Sequence, residues 1–141
     1  MKLILKCEKP APKEFCDLRL AAGLSARSLQ GAKTGLNNTP FMVTIRTSEN
    51  ELIGMGRVIG DGGLAFQVSD IAVHPNFQGK GLGKKIMEKI FLYLQTLDNK
   101  AFISLIADGK AKELYRQFGF RETAPYSAGM YFVREKLCSP K

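Results

Sequence analysis

The amino-acid sequence predicts an α/β fold: one domain, residues 1–141, with a mixed sheet and flanking helices. Three observations lead to this prediction. A chain of 141 residues has the usual length of a domain with one core. Several short segments alternate apolar and polar residues, as half-buried strands do. In the middle of the chain a strand, a helical repeat and an almost continuous apolar run follow one another, which is the pattern of a βαβ crossover.

The N-terminal half is expected to contain a strand, two helices and a hairpin. Pro10 and Pro12 end the first strand, and the polar turn at 48–51 separates the two alternating strands of the hairpin. In chain order, the predicted elements are a strand over 2–7, a helix over 13–22, a short helix from the cap Ser25 to about Lys33, a loop over 31–40, and strands over 41–47 and 52–59.

The C-terminal half is expected to contain the crossover and a second hairpin. Residues 101–107 are nearly all apolar, which favours a strand that is buried on both faces. Gly119 ends the helix that precedes the hairpin. The predicted elements are a strand over 64–73, a helix over 81–97, a strand over 101–107, a helix over 109–118 with Asp108 as its cap, and hairpin strands over 120–123 and 130–136.

The most informative segment is a turn with three alternating glycines between the strand that ends at Val73 and the following helix. The first backbone N–H groups of a helix lack internal partners and, with the helix dipole, attract an anion such as a phosphate. Glycine lets that phosphate approach the backbone closely, because it has no Cβ. Lys80 and Lys84 add positive charge. The turn therefore predicts a phosphate-binding site.

Spacing distinguishes the families that use such a turn. A dinucleotide-binding fingerprint needs its third glycine one residue later, and an acidic residue at the end of the next strand. A Walker A loop needs four residues between its glycines and a Ser or Thr after the lysine. Gly79 and Gly83 have three residues between them, and Lys85 follows Lys84. Neither pattern fits.

The turn resembles a third pattern, that of the GCN5-related N-acetyltransferases (GNAT). Residues 78–83, Gln-Gly-Lys-Gly-Leu-Gly, match the Q/R-x-x-G-x-G/A signature of that family. Residues 71–75 resemble its fourth strand, and residues 111–120 resemble its A-x-x-L-Y-x-x-x-G-F ending. The resemblance covers about residues 64–123, whereas the N-terminal third is similar only in layout.

The resemblance implies a GNAT-like sheet whose fourth and fifth strands splay apart to admit coenzyme A, with acetyl-CoA as the cosubstrate. The pantetheine arm would lie against the fourth strand, and the pyrophosphate would bind the backbone of the turn. The implied cofactor-binding residues are Ile71, Ala72, Val73, Gln78, Gly79, Lys80, Gly81, Leu82, Gly83 and Lys84.

Two residues are predicted to be catalytic by the same resemblance. Tyr115 stands at the position of the family's general acid, where a phenol protonates the departing thiolate. Asp70 precedes the cofactor strand, and is expected to accept the amine's proton through water or to hold an ammonium ion. The alternatives are a core tyrosine and a structural salt bridge. His74, before Pro75, is expected to form a turn.

Composition leaves several functions open. The net charge of +8 is suited to nucleic acid, anionic lipid or a phosphorylated cofactor, and no nucleic-acid motif is present. Three widely spaced cysteines predict neither a disulfide scaffold nor a metal site. We expect a cytoplasmic N-acetyltransferase that binds neither nucleic acid nor membrane. Many relatives are dimers, and the resemblance extends the expectation of a homodimer to this chain. A catalytically silent module that binds coenzyme A is the alternative.

The acceptor amine is not identified by any motif. The positive charge balance disfavours a polycation, whereas Asp70 favours a cationic acceptor. The acceptor is expected to bind among the N-terminal helices, the loop at 31–40 and the C-terminal hairpin.

Overall fold

The computed structural model describes residues 2–134 and contains one sheet of five strands with helices on both faces. The elements are β1 (Leu3–Lys6), α1 (Pro12–Ala21), α2 (Leu29–Asn37), β2 (Phe41–Thr47), β3 (Leu52–Gly60), β4 (Ala65–Val73), α3 (Leu82–Leu94), β5 (Phe102–Leu105) and α4 (Lys112–Arg116). Short 3₁₀ turns at Pro75–Phe77 and Gly109–Ala111 precede α3 and α4.

The sheet has the strand order β1-β2-β3-β4-β5. The first four strands are antiparallel, and β5 pairs in parallel with β4. A parallel pair needs a crossover, which α3 provides. The predicted mixed α/β fold is therefore confirmed.

Two apolar clusters lie on opposite faces of the sheet. One packs α3 and Tyr115 of α4 on the sheet, and the other packs α1 and α2 on the sheet. Adjacent residues of β2 show the division, since Met42 belongs to the α1–α2 cluster and Val43 to the α3 cluster. Because β3 is buried on both faces over its first five residues, it forms the centre of the molecule.

Gly56 of β3 allows α3 to approach the sheet closely. A Cβ on this residue would lie 2.5 Å from Ile71 Cδ1 and 2.7 Å from Ile86 Cγ2. Those distances are well inside van der Waals contact, so a larger side chain would displace α3. The position of the glycine turn, which begins α3, therefore depends on this contact.

The second helix differs from its prediction. Its cap is Ser28, whose Oγ accepts a hydrogen bond from the Gly31 amide at 2.9 Å, and not Ser25. Residues 31–37, predicted as a loop, are helical. Ala32 and Leu36 are buried against the sheet four residues apart. This burial outweighs the poor helix propensities of the glycines and asparagine in the segment.

The C-terminal part also differs. β5 is not buried on both faces, because the Phe102 side chain is 64% exposed and the next three residues are only half-buried. Residues 120–134 form no strand, so the predicted hairpin is absent from the described part of the chain. Residues 135 and 136 of that prediction lie outside the described residues. Within residues 2–134, no helix has the length and apolar character needed to cross a membrane.

Candidate active site

The site is built where β4 and β5 separate. The two strands pair only from Ala65–Phe102 to Val68–Leu105, and beyond Val68 no residue of β4 is paired with β5. A bulge begins there: the β3 register moves from Arg57–Ser69 to Met55–Ala72. Asp70 lies in the bulge with a left-handed φ of 57°. Because a bulge bends its strand, this irregularity turns β4 away from β5 and confirms the predicted splay.

The splay opens into a cleft of about 630 Å³. Its walls come from the end of α1 and the following loop, the bulged half of β4, and the chain from β5 to α4. The lining residues used below are Arg19, Ser25, Arg27, Asp70, Asp108 and Tyr115. Parts of the chain as far apart as residues 19 and 115 thus meet in one site.

The glycine turn has the backbone needed for an anion site. Gly79 and Gly81 have φ angles of 79° and 77°, which L-amino acids with a side chain rarely adopt. A Cβ on either residue would meet no atom within 4 Å, so the space around the turn is open. Lys85 donates the first α3 hydrogen bond, to the Gly81 carbonyl at 3.2 Å. The amides of residues 82–84 therefore precede the first bond of the helix and are the donors expected at its N-terminus.

The side chains of the turn take different positions. Gln78 donates from Nε2 to the Val73 carbonyl at 2.9 Å, which joins the end of β4 to the turn. The backbone N–H of Gln78 donates to the Pro75 carbonyl at 3.4 Å, so the backbone N–H groups that are free to bind an anion begin after Gln78. Lys80 Nζ lies 5.8 Å from the centre of the Phe77 ring, and Lys84 is exposed.

The three predicted pantetheine-binding residues lie on the splayed half of β4. Ile71 lines the cleft. The Ala72 side chain is only 4% exposed and belongs to the α1–α2 cluster, whereas Val73 packs against the α3 cluster. Ala72 can therefore act on a ligand only through its backbone, whereas the half-buried Val73 directs its side chain at least partly to the α3 cluster.

Tyr115 is the buried phenol of the cleft. The residue is 9% exposed, and its ring meets Phe120 edge-on with the centroids 6.4 Å apart. The residue lines the cleft, and among residues 2–134 its hydroxyl has no protein hydrogen-bond partner. Burial, and then the negative charge of Asp108, raise the pKa of this phenol above its usual value. Tyr115 is thus protonated at neutral pH.

Asp70 has different surroundings from those expected. Its side chain is 4% exposed, and its two carboxylate oxygens accept hydrogen bonds from Arg19 and Arg57. A carboxylate whose two oxygens both accept from guanidinium groups has few lone pairs left for a substrate. This arrangement corresponds to the structural salt bridge, and it removes the argument from Asp70 for a cationic acceptor. Its predicted proton-accepting role stays a prediction.

Sequence reasoning missed the contribution of the loop after α1. Arg19 and Arg27 seemed scattered along the sequence, yet both line the cleft together with Ser25. No motif marks these residues, because the contacts between Arg19 and β4 span 51 positions. Asp108 stands at the N-cap position of its 3₁₀ turn, but its side chain makes no capping bond and lines the cleft. The expected role of Asp108 as a cap is therefore wrong.

His74 lies outside the cleft lining. Its Nδ1 accepts a hydrogen bond from the Asn76 amide at 3.1 Å, so it caps the turn after β4. Gln67 lines the cleft and is paired with Ser104 of β5, below the point of separation.

Comparison with known proteins gives a consistent result. The family model for an acetyltransferase (GNAT) domain matches residues 38–122. A probable acetyltransferase of unknown function from methicillin-resistant Staphylococcus aureus is 43% identical, and its structure superposes with a TM-score of 0.87 over 94% of this chain and 99% of that chain. An uncharacterised N-acetyltransferase from Porphyra purpurea is 28% identical over 85% of this chain and 68% of its own length. A probable acetyltransferase from Glycine max is 30% identical over 89% of this chain and 49% of its own length.

Proposed function

Because the chain belongs to the GNAT family of acetyltransferases, we propose that it transfers an acetyl group from acetyl-CoA to a primary amine by direct attack, with Tyr115 as the general acid. The observation that supports this most is the position of a buried, protonated phenol in the cleft between the splayed strands. Tyr115 lines the cleft, and among residues 2–134 its hydroxyl donates to no protein group, which is the arrangement expected of a proton donor to a ligand.

The residues present fit acetyl-CoA. Its pyrophosphate would bind the amides of residues 79–84, where left-handed glycines leave open space. Lys80 and Lys84 add charge beside it, and Leu82 and Gly83 supply the first amides of α3. Gln78 would support cofactor binding indirectly, because its hydrogen bond to the Val73 carbonyl joins the turn to β4. The backbone of Ile71, Ala72 and Val73 would hold the pantetheine arm. When bound, acetyl-CoA supplies an acetyl group activated as a thioester.

Tyr115 provides the proton that the reaction requires at sulfur. A new C–N bond forms as the C–S bond breaks, and the thiol leaves with a proton from the phenol. The attacking nitrogen loses a proton to solvent, and the phenolate of Tyr115 regains a proton from solvent. The raised pKa keeps Tyr115 protonated through the neutral range, so the donor form is fully populated there.

Asp70 is assigned a positioning role. By bonding both Arg19 and Arg57 it fixes the β4 bulge and the wall of the cleft. A substitution of Asp70 would therefore act on the geometry of the cleft and on stability before it acted on a proton transfer.

The test is the replacement Tyr115→Phe, assayed by release of the coenzyme-A thiol with a panel of amines. Loss of the proton donor should lower kcat by about 100-fold or more. The dissociation constant of coenzyme A should change little, because the turn is untouched. Tyr93→Phe is the matched control, since the Tyr93 ring stacks on Phe41 with the centroids 4.4 Å apart, away from the cleft. Its kcat should equal that of the unmodified protein.

The pH profile adds an independent readout. With the pKa of Tyr115 raised, kcat should show no decline from phenol ionisation between about pH 7 and 9. A Tyr115→Phe protein with unchanged kcat would remove the general acid from the proposal. Absence of thiol release with every amine, despite tight binding of acetyl-CoA, would favour the catalytically silent module.

A further inference from the structure

The cleft contains more positive than negative charge on the wall formed by α1, its loop and β4. Three guanidinium groups, those of Arg19, Arg27 and Arg57, belong to this wall and its immediate support, and one carboxylate, Asp70, faces them. Asp70 pairs with Arg19 and Arg57. Within residues 2–134, no carboxylate forms an ion pair with Arg27, whose Nη1 donates only to Ser25 Oγ and the Ala26 carbonyl. Three guanidinium groups against one carboxylate leave an excess of positive charge on this wall, and among residues 2–134 Arg27 is the member without an ionic partner.

Ser25 brings two of these guanidinium groups together. Its Oγ accepts hydrogen bonds from Arg19 Nη2 at 3.1 Å and from Arg27 Nη1 at 2.7 Å. The Arg19 side chain is 6% exposed and is held by Asp70 and the Ser25 carbonyl, so its position is fixed. Asp70 is the counter-ion of Arg19, whereas Arg27 is exposed and has no carboxylate partner among residues 2–134. A guanidinium pair of this kind matches the oxygens of a carboxylate or phosphate.

The opposite wall has the complementary charge. Asp108 lines the cleft beside Tyr115, and its charge contributes to the raised pKa of that phenol. No ion pair of Asp108 occurs within residues 2–134. An ammonium group that enters the cleft is therefore attracted to the wall that holds the proposed acid, and an anionic group to the wall formed by Arg19 and Arg27.

We propose that the acceptor is a small amine that also carries a carboxylate or a phosphate group, and that Arg27 and Arg19 bind this group while the amine lies near Asp108 and Tyr115. The proposal rests on the proposed function for its description of the amine as an acceptor. The cleft volume of about 630 Å³ is typical of sites for small molecules. A polycation is disfavoured, because this wall carries more positive than negative charge.

The first experiment compares acceptors in pairs that differ only in the anionic group. The pairs are β-alanine with β-alaninamide, and phosphoethanolamine with ethanolamine. The anionic member of at least one pair should have the higher kcat/KM, and the pair that shows the preference distinguishes carboxylate from phosphate. In Arg27→Gln this preference should fall by about 10- to 100-fold, the effect of losing a charged hydrogen-bond donor. Arg121→Gln is the control: it removes an exposed arginine from a different groove of the molecule.

The second experiment measures anion binding without turnover. Protein saturated with coenzyme A, which occupies the glycine turn, is titrated with inorganic phosphate and with acetate in a calorimeter. We expect saturable binding of one of these anions to the unmodified protein and to Arg121→Gln, and binding at least 10-fold weaker to Arg27→Gln.

The two experiments separate the failure of this inference from the failure of the proposed function. Anion binding that depends on Arg27, without turnover of any amine, would support the anion site and contradict the transferase. Turnover in which the neutral amines are preferred, or anion binding that is absent or equal in Arg27→Gln, would overturn the inference and leave the transferase intact.

Discussion

At the scale of single residues, Asp70 shows how its surroundings decide the role of a side chain. An aspartate within a strand is unusual, and the family resemblance suggested catalysis. In the structure it adopts a left-handed conformation and accepts hydrogen bonds from Arg19 and Arg57 in a nearly closed environment. Its negative charge is needed to hold one buried cation, Arg19, and one partly buried cation, Arg57. The same residue thereby bends β4 and fixes an arginine in the wall of the cleft.

Replacement of Asp70 by asparagine should therefore reduce stability strongly. Removing the charge leaves two guanidinium groups without their anion, and breaking a buried pair of this kind costs about 3–5 kcal/mol in the free energy of unfolding. Urea unfolding measures this difference. The control is Asp17→Asn, because Asp17 forms an exposed pair with Lys13 and little change is expected there. Equal stability of the two variants would show that Asp70 is not a structural charge.

At the scale of elements, the glycine turn and α3 act as one unit. Gly81 is the N-cap of α3 in the left-handed region, and the open space beside it is where the proposed phosphate would approach. Gly56, which has no side chain, lets the helix pack closely against the sheet. The position of the proposed anion site thus depends on the glycine conformation of the turn and on the packing of α3 at Gly56. The sequence predicted the turn but not the packing.

Gly81→Leu should weaken the binding of coenzyme A by at least about 10-fold, because the new side chain occupies the space of the phosphate. Part of any effect will be backbone strain from φ of 77°. Gly62→Leu controls for that strain, since Gly62 has a similar φ of 89° with open space around it in the turn between β3 and β4. Calorimetry on both variants gives the comparison. Similar affinity in the two would contradict the assignment of the turn.

A second unit is the attachment of α1 to the sheet. Arg46 of β2 donates to Glu14 from Nη1 at 2.9 Å and from Nη2 at 2.6 Å, and to Glu8 from Nε at 2.9 Å. The hydrogen bond from Arg46 lowers the pKa of Glu14 below its usual value of 4.5. Since α1 supplies Arg19, this attachment also supports the cleft.

Arg46→Met should lower the free energy of unfolding by about 1–3 kcal/mol at neutral pH, because it removes hydrogen bonds between charged groups that are mostly shielded from water. A carboxyl whose pKa is depressed in the folded state stabilises the fold above its unfolded pKa, and this stabilisation is lost as the pH falls through the folded pKa. The difference between the two proteins should therefore shrink below about pH 4.5. Lys13→Met, in an exposed pair, is the control. A difference that does not depend on pH would contradict the role given to Glu14.

At the scale of the whole molecule, the features that could be predicted are those encoded within a short stretch of sequence. The strand, glycine turn and helix at residues 64–97 were predicted nearly to their boundaries, because periodicity and turn chemistry are local. Of the two residues on the cleft wall opposite the arginines, Tyr115 was predicted from a motif, whereas Asp108 was interpreted as a cap.

The features that could not be predicted depend on contacts between distant parts of the chain. Arg19 bonds to β4 across 51 positions of the sequence. Ser25 accepts hydrogen bonds from two arginines and does not begin a helix. The helix at residues 29–37 forms because the sheet buries Ala32 and Leu36, which outweighs local propensity. The wall that contains Arg19 and Arg27 therefore could not be predicted from the sequence, whereas the glycine turn could.

Binding of acetyl-CoA by the splayed sheet and the glycine turn is best tested by isothermal titration of the purified protein with acetyl-CoA, coenzyme A and ATP. We expect saturable one-to-one binding of acetyl-CoA and coenzyme A, and much weaker binding of ATP, which has phosphates but no pantetheine arm for β4. No binding of acetyl-CoA to correctly folded protein, or equal binding of ATP, would contradict this expectation.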